Sequence, residues 1–420
     1  MPAEPCPSAA PVLEKLKDFQ LRTVEHAFSR LYLSEQPSHR FLVADEVGLG
    51  KTLIARGIVA KAVEHLWDDV ERIDVLYICS NLDIARQNVD RLKLPGREDI
   101  PLASRLTLLP TLLKDLRSQR LNLISFTPGT SLDPRSSMGT AEERALVYLL
   151  LERAGWIRHR IPALNLLQGG IVKRETFESW VEWLRTEREI DDTLGADFSE
   201  ALRVHDLAAP GDKHLQDRFD DLCSRFKRAR RHIPAEDRWD RADLIADLRA
   251  VLATTCATAL EPDLIILDEF QRLRSLLHDD GSDPAAKLAR DLFTWQREET
   301  GERARLLLLS ATPYKPFTTA DDGGEDHYRD FIATLRFLFD GDDAAAEIER
   351  ELIEYKQQLL TAEPDGGHAL RARAAQLEDL LLKVMCRTER LGASADRNGM
   401  LRTVTDAVTV SAADVRSFVR

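Results

Sequence analysis

The chain has 420 residues, which is enough for two or three domains or for one large domain with an insertion. Its hydrophobic fraction of 44% and charged fraction of 31% are typical of a soluble globular protein, and no apolar run approaches the length of a membrane span. The net charge of −13, from 58 basic and 71 acidic residues, argues against a surface that wraps nucleic acid as a whole but permits a local basic groove.

The N-terminus and the cysteines favour a cytoplasmic location. Residues 1–15 are rich in Pro and Ala and lack the basic start and apolar core of a secretory signal, so we expect a disordered tail there. The five cysteines lie far apart, without a Cys-x-x-Cys pair. This spacing favours reduced intracellular thiols over a disulfide framework or a zinc site.

The first functional pattern is the segment FLVADEVGLGKT, which predicts a strand, a glycine turn and the start of a helix. Gly48 and Gly50 allow the positive φ angles and close backbone approach that a side chain would block. A turn of this kind directs unpaired N–H groups toward one point, where an anion is stabilised. Lys51 adds a positive charge for the outer oxygens of a polyphosphate, and Thr52 offers a hydroxyl for Mg²⁺.

One residue departs from the usual phosphate-loop string, G-x-x-x-x-G-K-[ST]. Asp45 occupies the position of the first glycine. The alternative interpretation is therefore a chance Gly-Lys-Thr turn that caps an ordinary helix.

Further strand-like runs follow along the chain, separated by helical patterns. Residues 73–80 predict a buried strand that is followed by a helix, and residues 122–129 predict a strand that ends at a Pro-Gly break. Strand-like runs resume at residues 262–271 and 304–313. Strands that alternate with helical patterns of this length indicate parallel βαβ units.

Between the two groups of strands the character of the sequence changes. Strand-like runs vanish and charged helical patterns dominate, which predicts a large helical insertion in the α/β framework. The predicted organisation is a tail (1–15), the first part of an α/β lobe (16–137), the helical insertion (138–260), the second part of the lobe (261–340) and a helical segment (341–420).

The second functional pattern is LIILDEFQ. The apolar run Leu264–Leu267 predicts a strand that is buried on both faces, as parallel sheets require. Asp268 and Glu269 follow at its carboxyl end, where open α/β sheets bind ligands. Nucleotide hydrolysis needs one carboxylate to hold the Mg²⁺ shell and another to orient or deprotonate the attacking water, and adjacent Asp and Glu can divide these tasks.

The third pattern is LLLLSATP, which predicts another central strand followed by small hydroxyl residues. Ser310 and Thr312 can hydrogen-bond to the carboxylate pattern and report what occupies the nucleotide site. Taken alone, the stretch is equally consistent with a plain strand-to-turn transition.

These three patterns, in this order, resemble motifs I, II and III of superfamily 2 helicases and translocases. The segment ADEVGLGKT (44–52) is similar to motif I of the Swi/Snf-type branch, in which an Asp also stands at the first glycine position. DEFQ (268–271) resembles the DExx box of motif II, and SAT (310–312) resembles motif III. VMCRTERL (384–391) resembles the arginine-containing stretch that leads out of the first lobe.

Three shorter stretches carry a weaker resemblance to the same family. DFQLRT (18–23) resembles the upstream glutamine motif, which implies that Gln20 reads the edge of adenine. The segments ICSNLDIARQ (78–87) and FTPGTS (126–131) resemble motifs Ia and Ib, which contact the nucleic-acid backbone in the family. The implied contact residues are Asn81, Gln87, Thr127 and Gly129.

The resemblance implies a RecA-like P-loop NTPase domain with a parallel β-sheet, a large helical insertion and a helical C-terminal segment. It implies ATP and Mg²⁺ as cofactors and an ATP-dependent helicase or double-stranded DNA translocase as the function. The implied roles are nucleotide binding by Gln20, Gly48, Gly50, Lys51 and Thr52; catalysis by Lys51, Asp268 and Glu269; magnesium binding, largely through water, by Thr52 and Asp268; and coupling by Gln271, Ser310 and Thr312.

The resemblance also carries expectations about partners. Motors of this family have a second RecA-like lobe with motifs IV to VI, and the residues after Leu391 are too few to form it. We therefore expect either a fragment of a longer chain or a second lobe supplied by a partner protein. The track would be nucleic acid, with DNA favoured over RNA, and the biological setting would be a bacterial restriction or anti-phage defence system.

Two alternatives from other functional classes stay open. The chain is interpreted in the first as a P-loop ATPase switch that clamps a protein partner through its helical insertion. In the second it is a structural or regulatory subunit with a vestigial motor site, although the presence of Lys51, Asp268 and Glu269 argues against this.

Two patterns in the insertion suggest surface roles. The basic run Arg225–His232 offers contacts to phosphates, although a charged run on a helix is more often a solvated face. Trp180 and Trp183 recur at helical spacing with Phe177 and Leu184, which favours a packed face over a platform for stacked bases.

Overall fold

The structure, a computed structural model, describes residues 5–95, 105–127, 138–171, 173–208, 214–228, 233–273, 284–297, 300–310, 327–361 and 367–388. The strands in these ranges are β1 (Arg40–Val43), β2 (Ile73–Ile78), β3 (Leu121–Phe126), β4 (Pro262–Leu267), β5 (Arg305–Leu309) and β6 (Met385–Cys386). The α-helices are α1 (Ala10–Leu13), α2 (Asp18–Phe28), α3 (Lys51–Leu66), α4 (Leu82–Leu92), α5 (Leu113–Ser118), α6 (Ala141–Arg153), α7 (Arg160–Leu167), α8 (Arg174–Glu187), α9 (Asp192–Ala208), α10 (Leu215–Arg225), α11 (Ala235–Ala259), α12 (Pro284–Phe293), α13 (His327–Leu338), α14 (Asp342–Thr361) and α15 (Gly367–Leu381). A π-helical turn (Ser29–Leu33) extends α2, and a 3₁₀ helix (Leu106–Thr111) precedes α5.

The six strands form one all-parallel sheet in the order β3-β2-β4-β5-β1-β6. The parallel α/β architecture expected from the alternation of strands and helices is therefore confirmed. Its strands are nearly continuous apolar runs: every residue of β1, β2 and β3 is buried. This is the pattern of a sheet with both faces covered, in which neither face of a strand meets water.

By its internal contacts the chain divides into two compact units. The first unit comprises Met1–His65, Ile266–Gln271 and Arg305–Arg420. It contains β1, β5, β6 and the end of β4, with α2 and α3 and the three C-terminal helices.

Two contacts fix helices in the first unit. Arg40 at the start of β1 pairs with Asp340 at 3.0 Å and lies over the ring of Phe337, which anchors the end of α13 to the sheet. Gly57 lets α3 pack closely on α2, because a Cβ at this position would lie 2.8 Å from Val24 Cγ2.

The second unit comprises Leu66–Ile265 and Arg272–Ala304. It contains β2, β3, most of β4 and the helices α4 to α12. The described parts of the predicted insertion contain helices joined by turns and no strand, and the long helix α11 packs against α9, α10 and α12.

A buried ionic cluster joins the helices of the second unit. Glu143 on α6 is fully buried and accepts hydrogen bonds from Arg249 Nη2 at 2.8 Å and from Thr107 Oγ1 at 2.6 Å. Arg105 and the backbone N–H of Thr140 donate to its other oxygen at 3.1 and 2.7 Å. These partners compensate the cost of burying the carboxylate.

The C-terminal segment contains one element that the sequence did not predict. Residues 341–420 were expected to be helical, whereas Met385 and Cys386 form the edge strand β6, which pairs with Leu42 and Val43 of β1. Two residues are too few to show a strand periodicity. Among the described residues, no helix is long and apolar enough to cross a membrane.

Candidate active site

The glycine turn follows the buried strand β1 directly and leads into α3. Gly48 and Gly50 have φ angles of 85° and 83°, in the left-handed region that favours glycine. The helix begins at Lys51, and Leu53 is its first residue that donates back to the loop, to Gly50 O at 2.8 Å. The N–H groups at the start of a helix have no intrahelical acceptors, so this turn has the form of an anion cradle.

Lys51 lies folded against the loop that precedes it. Its Nζ donates hydrogen bonds to Asp45 O at 2.9 Å and to Glu46 O at 3.1 Å. Partial burial lowers the pKa of Lys51, and the negative charges of Asp45 and Asp268 act in the opposite direction.

The acidic pair lies at the carboxyl end of β4, as the sequence predicts. Asp268 is 8% exposed, and its Oδ1 accepts a hydrogen bond from Glu269 N at 2.8 Å. Glu269 is half-buried and has a φ angle of 52°, one of two positive values outside glycine among the described residues. A non-glycine residue in this region costs about 1–3 kcal/mol and is found preferentially at functional sites.

The end of β5 lies beside the same acidic pair, because β5 stands between β4 and β1 in the sheet. Ser310 is fully buried, and its hydroxyl donates a hydrogen bond to Gln271 Oε1 at 3.0 Å. Its backbone N–H donates to Val43 O at 3.0 Å, which ties it to the last residue of β1. Of the predicted coupling residues, Gln271 and Ser310 are thus in contact, and Thr312 lies outside the described residues.

Gln20 contacts the glycine turn through its side chain. Its Nε2 donates to Leu49 O at 2.9 Å, and its Oε1 accepts from Lys17 N at 3.0 Å. A Cβ at Gly50 would lie 2.5 Å from this Nε2. Both ends of the amide are bound within the protein, so Gln20 would have to exchange these partners to read an adenine.

The donor atoms at this site are those expected to hold a magnesium nucleotide. Mg²⁺ prefers oxygen ligands, keeps several waters and is usually bound through one or two carboxylates together with substrate phosphates. Thr52 supplies a half-exposed hydroxyl in the first turn of α3, and Asp268 supplies a carboxylate. In the described part of the chain no group of three or more His, Cys, Asp or Glu side chains is arranged to hold a metal ion. A magnesium site that uses one hydroxyl, one carboxylate, phosphate oxygens and water does not require three such side chains.

The predicted nucleic-acid contacts all belong to the second unit. Asn81 directly precedes α4 and Gln87 lies within this helix, and both residues are exposed. Thr127 follows β3 and is only 4% exposed. Gly129 lies outside the described residues.

The basic run in the second unit is partly neutralised. Arg225 pairs with Asp221, with Asp240 at 2.7 Å and with Asp237 at 3.2 Å. Phe226 is buried, whereas Lys227 and Arg228 are exposed, and residues 229–232 lie outside the described ranges.

The predicted packed face on α8 is present, but the two tryptophans stand at its border. Phe177, Val181 and Leu184 are buried on one side of the helix. Trp180 and Trp183 are each 37% exposed, and their rings meet edge to face at 5.6 Å. The buried stripe is therefore carried by Phe, Val and Leu.

Asp45 is a site residue whose contacts sequence reasoning missed. It is fully buried, and its Oδ1 accepts a hydrogen bond from Thr388 N at 2.7 Å. The signal in the sequence is the aspartate at the position where the phosphate-loop string has its first glycine. The acceptor and the donor are separated by 343 residues, so no local pattern identifies the partner.

Comparisons with known proteins give no further assignment. The chain matches no protein-family model, and a search of curated proteins found no match.

Proposed function

We propose that this chain is the RecA-like first lobe of a nucleic-acid motor of superfamily 2 type, an ATP-dependent helicase or double-stranded DNA translocase. The proposal rests on the motif resemblance and on one structural observation. The glycine turn with Lys51 follows β1 and the acidic pair follows β4, so both lie at the carboxyl ends of strands that only β5 separates in the sheet. Ligands of open parallel sheets bind at the carboxyl ends of the strands.

ATP would bind across the glycine turn. The N–H groups at the start of α3 and the ammonium of Lys51 would hold the β- and γ-phosphates, and Thr52 and Asp268 would hold Mg²⁺ largely through water. Held by these two residues, Mg²⁺ would supply positive charge that offsets the negative charge developing during phosphoryl transfer. Glu269 would orient and deprotonate the attacking water, and its backbone N–H holds the Asp268 carboxylate through a hydrogen bond of 2.8 Å.

Coupling to nucleic acid would run through Gln271, Ser310 and Thr312. The Ser310–Gln271 hydrogen bond supports this role, because it links the segments that follow β4 and β5. On the nucleic-acid side, exposed Asn81 and Gln87 are better candidates for backbone contacts than buried Thr127, and Gly129 stays a prediction from the motif alone. DNA is the favoured track, and a defence system is the proposed setting.

A second RecA-like lobe, in the same longer chain or in a partner protein, would complete the site. In this family the work stroke is the opening and closing of two lobes around ATP. We therefore expect residues 1–420 alone to bind ATP but to hydrolyse it slowly.

The decisive experiment measures ATP binding by the chain and by two lysine variants on the same helix. Lys51→Ala removes the proposed phosphate contact, whereas Lys61→Ala removes a lysine that lies over the ring of Phe28, 4.8 Å from its centroid. We expect Lys51→Ala to weaken ATP binding by tenfold or more and Lys61→Ala to leave it within about twofold. Equal affinities in the two variants would contradict the proposed site.

The ATPase assay then separates the motor from the protein-clamping switch. The chain, together with a second lobe, is assayed with double-stranded DNA, single-stranded DNA and RNA in turn. Stimulation by one of these supports the motor and names its track. ATP hydrolysis that none of the nucleic acids changes would favour the switch.

A further inference from the structure

Asp45 lies between two parts of the first unit that are far apart in sequence. It is fully buried, and its Oδ1 accepts a hydrogen bond from Thr388 N at 2.7 Å. Its Oδ2 is also buried and has no hydrogen-bond partner among the described residues. Burial of an acceptor in this state costs about 1–3 kcal/mol of folding stability.

The hydrogen bond to Asp45 continues the pairing of β1 with β6 into the glycine turn. Leu42 N donates to Val384 O at 2.8 Å and Ala44 N donates to Cys386 O at 2.9 Å. The same series resumes beyond the strand, where Glu46 N donates to Thr388 O at 3.2 Å. Between the bonds of Ala44 and Glu46, Thr388 N donates to the side-chain carboxylate of Asp45. The glycine that the usual phosphate-loop string has at position 45 cannot supply this acceptor.

The main chain of the same loop residues is held by Lys51. Its Nζ binds Asp45 O at 2.9 Å and Glu46 O at 3.1 Å. Residues 45 and 46 therefore contact the proposed phosphate-binding lysine through their carbonyls. They contact Thr388 through the Asp45 side chain and the Glu46 N–H.

We propose that Asp45 is a positioning residue that couples the occupancy of the phosphate loop to the backbone at Thr388, just after β6. This inference rests on the proposed ATP site. An ammonium that binds phosphate oxygens gives up its hydrogen bonds to the two carbonyls, so the peptides of residues 45 and 46 have different contacts with and without ATP. A conformational change needs such a difference in contacts between two states, and here the change is passed to Thr388 through one charge-assisted hydrogen bond.

The test is hydrogen exchange at the amides of Glu46 and Thr388, read by NMR or by mass spectrometry with residue resolution. The chain is compared with and without the slowly hydrolysed analogue ATPγS and Mg²⁺. We expect saturation with the nucleotide to change the exchange rate of the Thr388 amide by threefold or more. A nucleotide that binds without changing this rate overturns the inference and leaves the ATP site intact.

Three variants isolate the role of the carboxylate. Asp45→Gly restores the usual loop glycine and should raise exchange at Thr388 about tenfold without nucleotide and abolish the response to it. Asp45→Asn keeps the shape and one oxygen, so it should show a reduced response even if the glycine variant fails to fold. Thr388→Val keeps the backbone donor and should preserve the response, as a matched control.

The outcomes distinguish this inference from the proposed function. A nucleotide response that persists in both Asp45 variants means that the carboxylate does not carry the coupling, and the inference fails alone. Absence of ATPγS binding by the unmodified chain overturns the proposed function and this inference with it. A response present in the unmodified chain and in Thr388→Val, but lost or reduced in the Asp45 variants, supports the coupling role.

Discussion

Ser310 and Gln271 are joined by a hydrogen bond of 3.0 Å from the serine hydroxyl to the glutamine Oε1, although 39 residues separate them in the sequence. Ser310 directly follows β5, and Gln271 lies two residues after the acidic pair that follows β4. The bond therefore connects the segments after these two strands. The pair lies at the carboxyl ends of the strands, as the proposed ATP site does. This makes it a candidate link between that site and nucleic acid.

Ser310→Ala should leave ATP binding intact but reduce the stimulation of ATP hydrolysis by nucleic acid. The variant loses the hydroxyl donor. Because Ser310 is not among the proposed phosphate contacts, we expect the ATP affinity of the variant to lie within about twofold of that of the unmodified chain. The loss of one hydrogen bond should lower the free energy of unfolding by about 1 kcal/mol. ATPase assays with the second lobe should show reduced stimulation by nucleic acid.

Thr334→Ala provides a matched control for the stability change. Thr334 is also buried, and its hydroxyl donates to Asp330 O at 2.8 Å within α13, away from the proposed site. It should lose a similar amount of stability and keep full stimulation. If both variants lost stimulation to the same degree, the effect would reflect stability and the coupling role of Ser310 would be wrong.

Gly50→Ala should destabilise the fold and weaken ATP binding. The new Cβ would lie 2.5 Å from Gln20 Nε2, and the φ angle of 83° is strained for alanine. We expect the free energy of unfolding to fall by about 1–3 kcal/mol, measured by urea titration. Gly341→Ala is the control, because a Cβ there has no neighbour within 4 Å.

A double-mutant cycle divides this cost into its two causes. In the Gln20→Ala background the clash is absent and only the backbone strain is left, so Gly50→Ala should cost less there. An equal cost in both backgrounds would show that the close approach of Gln20 to the turn is energetically unimportant.

Asp263 should make stability fall as the pH rises from about 4 to 7. Burial raises the pKa of Asp263 to about 7, despite the hydrogen bond from Asp74 N and the charge of Arg297 at 3.1 Å. Asp74 adds repulsion and Arg72 attraction. Between the ordinary pKa of 3.8 and about 7, the folded state binds more protons than the unfolded state, so the free energy of unfolding declines with increasing pH.

Asp263→Asn tests this dependence, because the amide keeps an acceptor oxygen and does not titrate. Urea unfolding from pH 4 to 8 should show that the variant gains stability relative to the unmodified chain as the pH rises. Asp243→Asn, at a carboxylate exposed to 74% and paired with Arg218, is the control and should leave the pH profile unchanged. Parallel profiles for the unmodified chain and Asp263→Asn would contradict the prediction.

Glu143→Gln should be among the most damaging single changes in the second unit. Burial by itself raises the pKa of Glu143, but the charge of Arg249 and the hydrogen bonds from Thr107 and Thr140 outweigh it, so the pKa lies below its ordinary value. The amide keeps the shape and removes the charge that compensates buried Arg249, and the expected loss is about 3–5 kcal/mol. Circular dichroism during urea unfolding measures it.

The neighbouring Glu142→Gln is the matched control and should change the stability by less than about 0.5 kcal/mol. The depressed pKa also gives a sign for the pH effect. The contribution of Glu143 is complete above the unfolded pKa and is lost as the pH falls through the folded one, so the cost of Glu143→Gln should shrink in acid. A cost that stays constant with pH would contradict the ionic role.

The sequence alone determined the parts of this protein that local patterns specify. The apolar runs of β1, β2, β4 and β5 identified strands because strands buried on both faces have nearly continuous hydrophobic sequence. Gly48 and Gly50 identified a turn after β1 because few other residues adopt a positive φ angle. The acidic pair of the candidate site was placed for the same reason, directly after a recognisable strand.

Only the tertiary structure decided which distant residues meet. The order of the strands, the edge strand at Met385 and Cys386, the contact of Gln20 with the glycine turn and the bond from Thr388 to Asp45 all join segments far apart in sequence. Such contacts depend on how elements pack, and a two-residue strand or a single buried carboxylate leaves no periodic pattern in the chain. Hydrophobic periodicity reports whether a segment is buried, but it does not report which partner buries it.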